Sequence, residues 1–208
     1  MKIVAFCPIK LNNRRLPGKN IRELGGKPLM NHSIETVLNA DIFDEIYIYC
    51  SDDSICSYLP PNVKFLKRSA LLDSDETTGK DIYQAFAKEI KADYYFLFHV
   101  TSPYLTKDSI IKAIDALSSG YDSSFSAVKA QTFAWYNKKP LNFELHNPIQ
   151  TQRLVPIYLE TSSFFLAPAK DLLKGVRYGK KPFIVEVEER ESIDIDNIED
   201  WQKAEKYL

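Results

Sequence analysis

Seven short runs of apolar, β-branched and aromatic residues recur along the chain, and segments with apolar residues at helical spacing lie between several of them. The runs are KIVAFC (2–7), EIYIYC (45–50), VKFLK (63–67), DYYFLFHV (93–100), DSSFSAV (122–128), SSFFLA (162–167) and PFIVEVE (182–188). The helical segments are PLMNHSIETVLNA, KDIYQAFAKEIKA and KDSIIKAIDALSSG. Strands this uniformly apolar have both faces covered. The alternation therefore predicts an α/β fold: a mostly parallel sheet with helices on both faces. Thr106 is placed to cap the third helix and Gly120 to stop it. Ligands of such sheets sit beyond the carboxyl ends of the strands. The loop after the first strand, TSPYLT after the fourth and IDIDN after the last all fall at that edge.

At 208 residues the chain suits one domain spanning 1–208. A formal net charge of -1 argues against bulk affinity for nucleic acid, so any anion site must be local. No apolar run approaches the roughly 20 residues that cross a bilayer, and MKIVAF turns polar too soon for a signal peptide. Cys7, Cys50 and Cys56 are odd in number and lie in or near apolar runs, which reads as reduced, buried thiols and a cytoplasmic location.

Residues 129–160 break the alternation, being rich in Pro, Asn and aromatics without a helical period. The stretch reads as a hairpin-like arm carrying Trp135, Tyr136 and Phe143. It is expected to mediate a homodimer, with a lid over the substrate as the rival reading.

Two further features carry chemistry. The segment PIKLNNRRLPGKN gathers Lys10, Arg14, Arg15 and Lys19, with Arg22 beyond, and contains no acid until Glu23. Neither GxxxxGK[ST] nor GxGxxG is present, so such a loop would hold a polyphosphate by side-chain charge or else be merely solvated. Near the other end, ESIDIDNIEDW alternates Asp194 and Asp196 with Ile193 and Ile195. In an extended chain both carboxylates share one side, where their repulsion is relieved by a divalent cation. The alternative is that Asp196 caps the following helix. The acids Glu186, Glu188, Glu189 and Glu191 read as a solvated strand end, and His32 and His146 as structural or solvated.

LPGKN (16–20), KRSALLDSDETT (67–78), TSPYL (101–105) and SIDIDNIEDWQKAE (192–205) occur in the order found in the acylneuraminate cytidylyltransferases. The chain resembles this family of CMP-sialic acid and CMP-Kdo synthetases over nearly its whole length. The resemblance implies a Rossmann-like fold of the nucleotide-diphospho-sugar transferase kind with a protruding dimerisation arm. It implies an enzyme moving CMP from CTP to the anomeric hydroxyl of an acidic sugar, a sialic acid-like nonulosonate or Kdo-like acid. Pyrophosphate is released with Mg²⁺ (or Mn²⁺), in lipopolysaccharide or capsule biosynthesis. Lys19, Lys10 and Asp196 would be catalytic. Lys10, Arg14, Arg15, Lys19, Asn20, Arg68 and Ser74 would bind the nucleotide, and Asp194 and Asp196 the metal. His99, Ser102, Arg153, Tyr158 and Glu160 would meet the acceptor, Arg153 from a neighbouring subunit.

The sequence departs from the family at several of these positions. Lys10 stands where an Arg is usual, His99 where relatives have Gln or Asp, Leu105 where an Arg is common, and Thr161-Ser162 where sialic acid synthetases have Asn-Gly. Glu160 is unusual beside an anionic acceptor, because like charges repel. Two other readings are a cytidylyltransferase for a phosphonate or sugar phosphate, and a nucleotide-binding protein without turnover.

Overall fold

The computed structural model describes residues 1–147 and 149–208. In chain order the elements are β1 (Ile3–Ile9), β2 (Glu23–Leu24), β3 (Lys27–Pro28), α1 (Leu29–Ala40), β4 (Glu45–Cys50), β5 (Lys64–Lys67), α2 (Gly79–Glu89) and β6 (Tyr94–Phe98). They continue with α3 (Lys107–Ser118), β7 (Ser123–Ala130), β8 (Trp135–Tyr136), β9 (Lys139–Pro140), β10 (Ile157–Pro168), α4 (Ala169–Leu172), β11 (Pro182–Glu186) and α5 (Ile198–Glu205).

The central sheet has the order β11-β7-β10-β6-β1-β4-β5. Every pairing in it is parallel except the two made by β10. The carboxyl ends of the other six strands therefore share one edge with the amino end of β10. Helices cover both faces, as the alternation predicts. Ile34 and Val37 of α1 and Ile110 of α3 pack with Phe96 and Phe164 on one face. On the other, Phe86 of α2 stacks on Phe6 with ring centroids 4.1 Å apart, beside Tyr49, Tyr95 and Phe165.

A third, smaller core joins the two ends of the chain: Leu16 and Leu24 from the start meet Ile193, Ile195 and Trp201 from the end. Arg22 covers the Trp201 ring at 4.7 Å.

Local signals explain the helix starts. Thr106 caps α3 by accepting from the Ser109 amide at 3.2 Å. Capping boxes Thr78–Asp81 and Asn197–Asp200 open α2 and α5.

Three expectations need correction. The arm is shorter than 129–160: Ile157 pairs with Ala130 and Glu160 with Ala127, so both its ends belong to the sheet. Between those ends lies the small β8–β9 hairpin, turned by Asn137 and Lys138 at positive φ. Cys56 is exposed, whereas Cys7 and Cys50 are buried. Glu191 is buried at 6% exposure rather than solvated.

Candidate active site

The loop after β1 is shaped by Leu16-Pro17-Gly18-Lys19. The Lys19 amide bonds to the Leu16 carbonyl at 3.2 Å, and Gly18 has φ +65°. Pro second and a left-handed Gly third are what a type II turn requires. Leu16 anchors the turn in the third core, which carries Lys19 inward to 7% exposure. There its ammonium donates to the Ile195 carbonyl at 2.7 Å and to Asp196 Oδ1 at 2.9 Å. Arg15 takes the other oxygen, Oδ2, at 3.0 Å. Burial alone would push the Asp196 carboxyl up, but the Lys19 hydrogen bond and charge, with Arg15, outweigh it and hold the group below the usual range. Asp196 does not cap α5; Asn197 does.

Lys10, Arg14, Arg15, Lys19 and Asp196 line one cleft of about 230 Å³ together with Asp75. Every cation in it already has a partner. Lys10 donates to the Asp73 carbonyl and Arg14 pairs with Asp75 at 2.7 Å. Asn20, buried, donates to the Lys10 carbonyl at 3.0 Å, and its own Oδ1 is buried without a partner. Arg68 lies beneath the cleft at 3% exposure. It ties the Ile9 and Tyr49 carbonyls to Asp73, and its Nε is buried and unpaired. Asp73, which sequence reading passed over, is the hub: Arg68 and Ser51 donate to its carboxylate. Ser74 is exposed and bonds to Thr77 at 2.9 Å, outside the cleft lining.

The carboxylate segment is set by its isoleucines. Ile193 and Ile195 are buried, which leaves Asp194 and Asp196 half-buried between them. The Ile195 amide donates to Thr101 at 2.8 Å, tying this segment to the loop after β6. Glu191 fastens it further: its carboxylate accepts from the Thr106 amide at 3.2 Å, the Thr106 hydroxyl at 3.2 Å and the Ser109 hydroxyl at 2.9 Å. Burial pushes the Glu191 carboxyl up, against the pull of those bonds.

Among the described residues no group of three or more His, Cys, Asp or Glu could enclose a metal. The carboxylate pair nonetheless fits a hard divalent cation that keeps waters and shares its shell with phosphates. The observation in favour is Asp194 Oδ1, which is buried without a hydrogen-bond partner.

Of the residues expected to meet the acceptor, His99 follows β6, with Nδ1 at the Ser162 carbonyl. Burial, the largest influence, lowers its pKa; Asp194 pulls it up and Arg177 pulls it down. Glu160 is not a bare acid, since Tyr178 donates to Oε2 and Arg177 lies 3.5 Å from Oε1. Tyr158 points its hydroxyl to Glu186 at 3.5 Å. The Ser102 hydroxyl is fully buried and unpaired, and its carbonyl accepts from Ser33 at 2.7 Å. Arg153 is exposed on the arm. The fold thus gathers Lys10, Arg14, Arg15, Lys19 and Asp196 in one cleft with Asn20 and Arg68 behind it. Ser74, Arg153 and Tyr158 stand apart, and Arg177 and Glu191 are additions.

The family model described as Cytidylyltransferase matches residues 5–207. N-acylneuraminate cytidylyltransferase A of Danio rerio is 26% identical over 98% of this chain, and the match spans only 50% of that protein. CMP-N,N′-diacetyllegionaminic acid synthase of Legionella pneumophila is 27% identical over 100% of this chain and 97% of its own length. A solved CMP:2-keto-3-deoxy-manno-octonic acid synthetase complexed with CTP superimposes with a TM-score of 0.71 at 13% identity, covering 100% of this chain and 98% of that one. The chain therefore spans about half the length of some curated relatives and nearly all of others.

Proposed function

The chain belongs to the cytidylyltransferase family, and from that premise we propose that it transfers CMP from CTP to the anomeric hydroxyl of an acidic sugar of the nonulosonate or Kdo type. Pyrophosphate is the second product, and the activated sugar serves cell-surface glycan synthesis. The meeting of Lys19 with Asp196 in a cation-lined cleft at the carboxyl edge of the sheet is the observation that carries the reading.

Lys10, Arg14, Arg15 and Lys19 receive the triphosphate. Each is already held by an acid or carbonyl of its own chain, so nucleotide binding exchanges partners and the side chains are ordered beforehand. Lys19, the most buried, stabilises charge developing at the α-phosphoryl group. Transfers of this kind depend mainly on alignment and neutralisation. Asp194 and Asp196 would hold Mg²⁺, which when bound supplies further neutralisation and acidifies the attacking hydroxyl. His99 and Glu160 border the acceptor.

Trp135, Tyr136, Val155 and Leu159 expose apolar surface on and beside the arm, which supports a homodimer formed through it. Three free thiols fit a cytoplasmic location.

The test is pyrophosphate release from CTP and Mg²⁺ over a panel of acceptors. Release is expected with at least one nonulosonic or Kdo-type acid. Release only with a sugar phosphate or phosphonate would move the acceptor class, and CTP binding without release from any acceptor would leave a binding protein.

A further inference from the structure

The acceptor side of the edge contains a cation that takes no part in holding the triphosphate. Arg177 lies between α4 and β11, and its guanidinium carbon sits 4.0 Å from the centroid of the Phe165 ring. Phe165 is fully buried, so the ring is a fixed platform. His99 meets the same ring edge-on at 6.4 Å. One aromatic side chain therefore sets the spacing between a guanidinium and the imidazole that follows β6.

Glu160 explains how this cation is held. Its contact with Arg177 is one long pair of 3.5 Å between side chains 30% and 34% exposed, a geometry that contributes little stability. The other Glu160 oxygen is taken by Tyr178. The pair steadies Arg177 without engaging it in the two-pronged fashion that a guanidinium prefers with a carboxylate. A stacked, weakly hydrated guanidinium loses little freedom when a second carboxylate arrives. The acid that looked hostile to an anionic acceptor thereby becomes the orienting partner of a cation that welcomes one.

We infer that Arg177, stacked on Phe165 and oriented by Glu160, binds the carboxylate of the acceptor and is the residue by which this site distinguishes an acidic sugar from its uncharged analogue. The inference rests on the acid-sugar reading proposed above.

Calorimetric titration tests it, with Mg²⁺ and a non-hydrolysable α,β-methylene analogue of CTP present. The probes are N-acetylneuraminic, N,N′-diacetyllegionaminic, pseudaminic and 2-keto-3-deoxy-manno-octonic acids, each beside its C1 amide. The wild type is expected to favour at least one acid over its amide. Arg177→Met is expected to weaken that acid by about 10- to 100-fold, as loss of a charge-assisted pair does, while leaving affinity for the amide and the nucleotide analogue unchanged. Arg177→Lys, which keeps the charge without the fork, should fall between. An acid-to-amide preference in Arg177→Met equal to the wild type's would overturn the assignment, as would a wild type that binds none of the acids. A wild type that binds an acid through Arg177 but releases no pyrophosphate with it would sink the transfer reading and leave the assignment standing.

Discussion

The cation-lined cleft and the arm stand at the same edge of one sheet, yet they are stabilised in different ways. In the cleft every cation has a partner, and the loops that carry those cations are pinned by buried residues: Leu16 and Ile195 in the third core, Arg68 beneath, Glu191 at the start of α3. On the arm the side chains that ought to be buried are exposed, Tyr136 at 74% and Trp135 at 56%. Its internal support is a polar frame, with Asn142 tied to Thr132, Ala134 and Val155 and Gln131 to Thr151 and Leu154, around the two-residue strands β8 and β9 and the edge contacts of Phe143 with Phe133 and Trp135. A region that satisfies itself is ready for a small ligand whose charges substitute for its own. A region that leaves aromatics in water is waiting for a surface.

The largest effect that would break this contrast is at Lys19. Lys19→Ala is expected to lower kcat/KM by about 10²–10³-fold, the usual result of removing a donor aimed at developing charge. Circular dichroism should remain native, because the turn around Gly18 does not depend on the ammonium. Turnover close to the wild type's would mean that the cleft is only a solvated charged loop.

For the arm, replacing Trp135 with Asp and Tyr136 with Lys is expected to weaken self-association by about 2 kcal/mol or more, roughly 30-fold. Sedimentation equilibrium measures it, and affinity for CTP should not change. An unaltered mass distribution would remove the arm from the interface.

Glu191 anchors the segment beside the cleft through a buried polar contact. Glu191→Ala leaves the Thr106 amide and the Thr106 and Ser109 hydroxyls without their acceptor, at an expected loss of about 1–3 kcal/mol in urea unfolding. Glu191→Gln keeps an acceptor and should lose less. Folding shifts Glu191 and Asp196 in opposite directions. The Glu191 pKa is raised by folding, so its contribution is full below the ordinary glutamate value of about 4.3 and declines as pH rises above it. The Asp196 pKa is lowered, so its contribution is full above about 3.9 and is lost as pH falls below that. Glu191→Gln should remove only the first slope and Asp196→Asn only the second.

Much of the fold was legible because apolar runs and cap residues are local signals. Each of the seven runs overlaps a strand of the central sheet, and Thr106 caps α3. The reversed direction of β10 was not legible, since apolarity says nothing about strand polarity. Its first residues were missed as well, because Tyr158, Leu159 and Glu160 are exposed and carry no inward pattern. Cys56 follows the buried Ile55 in a tight turn beyond the end of the apolar run EIYIYC and points out.

In the site, Lys19 and Asp196 could be paired in advance because a concentration of cations needs acids and because the isoleucines fix which way the aspartates face. Glu191 and Arg177 could not. The partners of Glu191 lie 82 and 85 residues away, and Arg177 is held by a ring and a carboxylate from another strand. Such contacts exist only in three dimensions.

The most direct test of the cleft is anomalous diffraction from crystals soaked in Mn²⁺ and CTP. The predicted result is a manganese peak bridging Asp194 and Asp196, with triphosphate oxygens on Lys19 and Arg15 in place of their bonds to Asp196. A triphosphate ordered elsewhere, with the bond between Lys19 and Asp196 intact and no manganese on the aspartates, would contradict it.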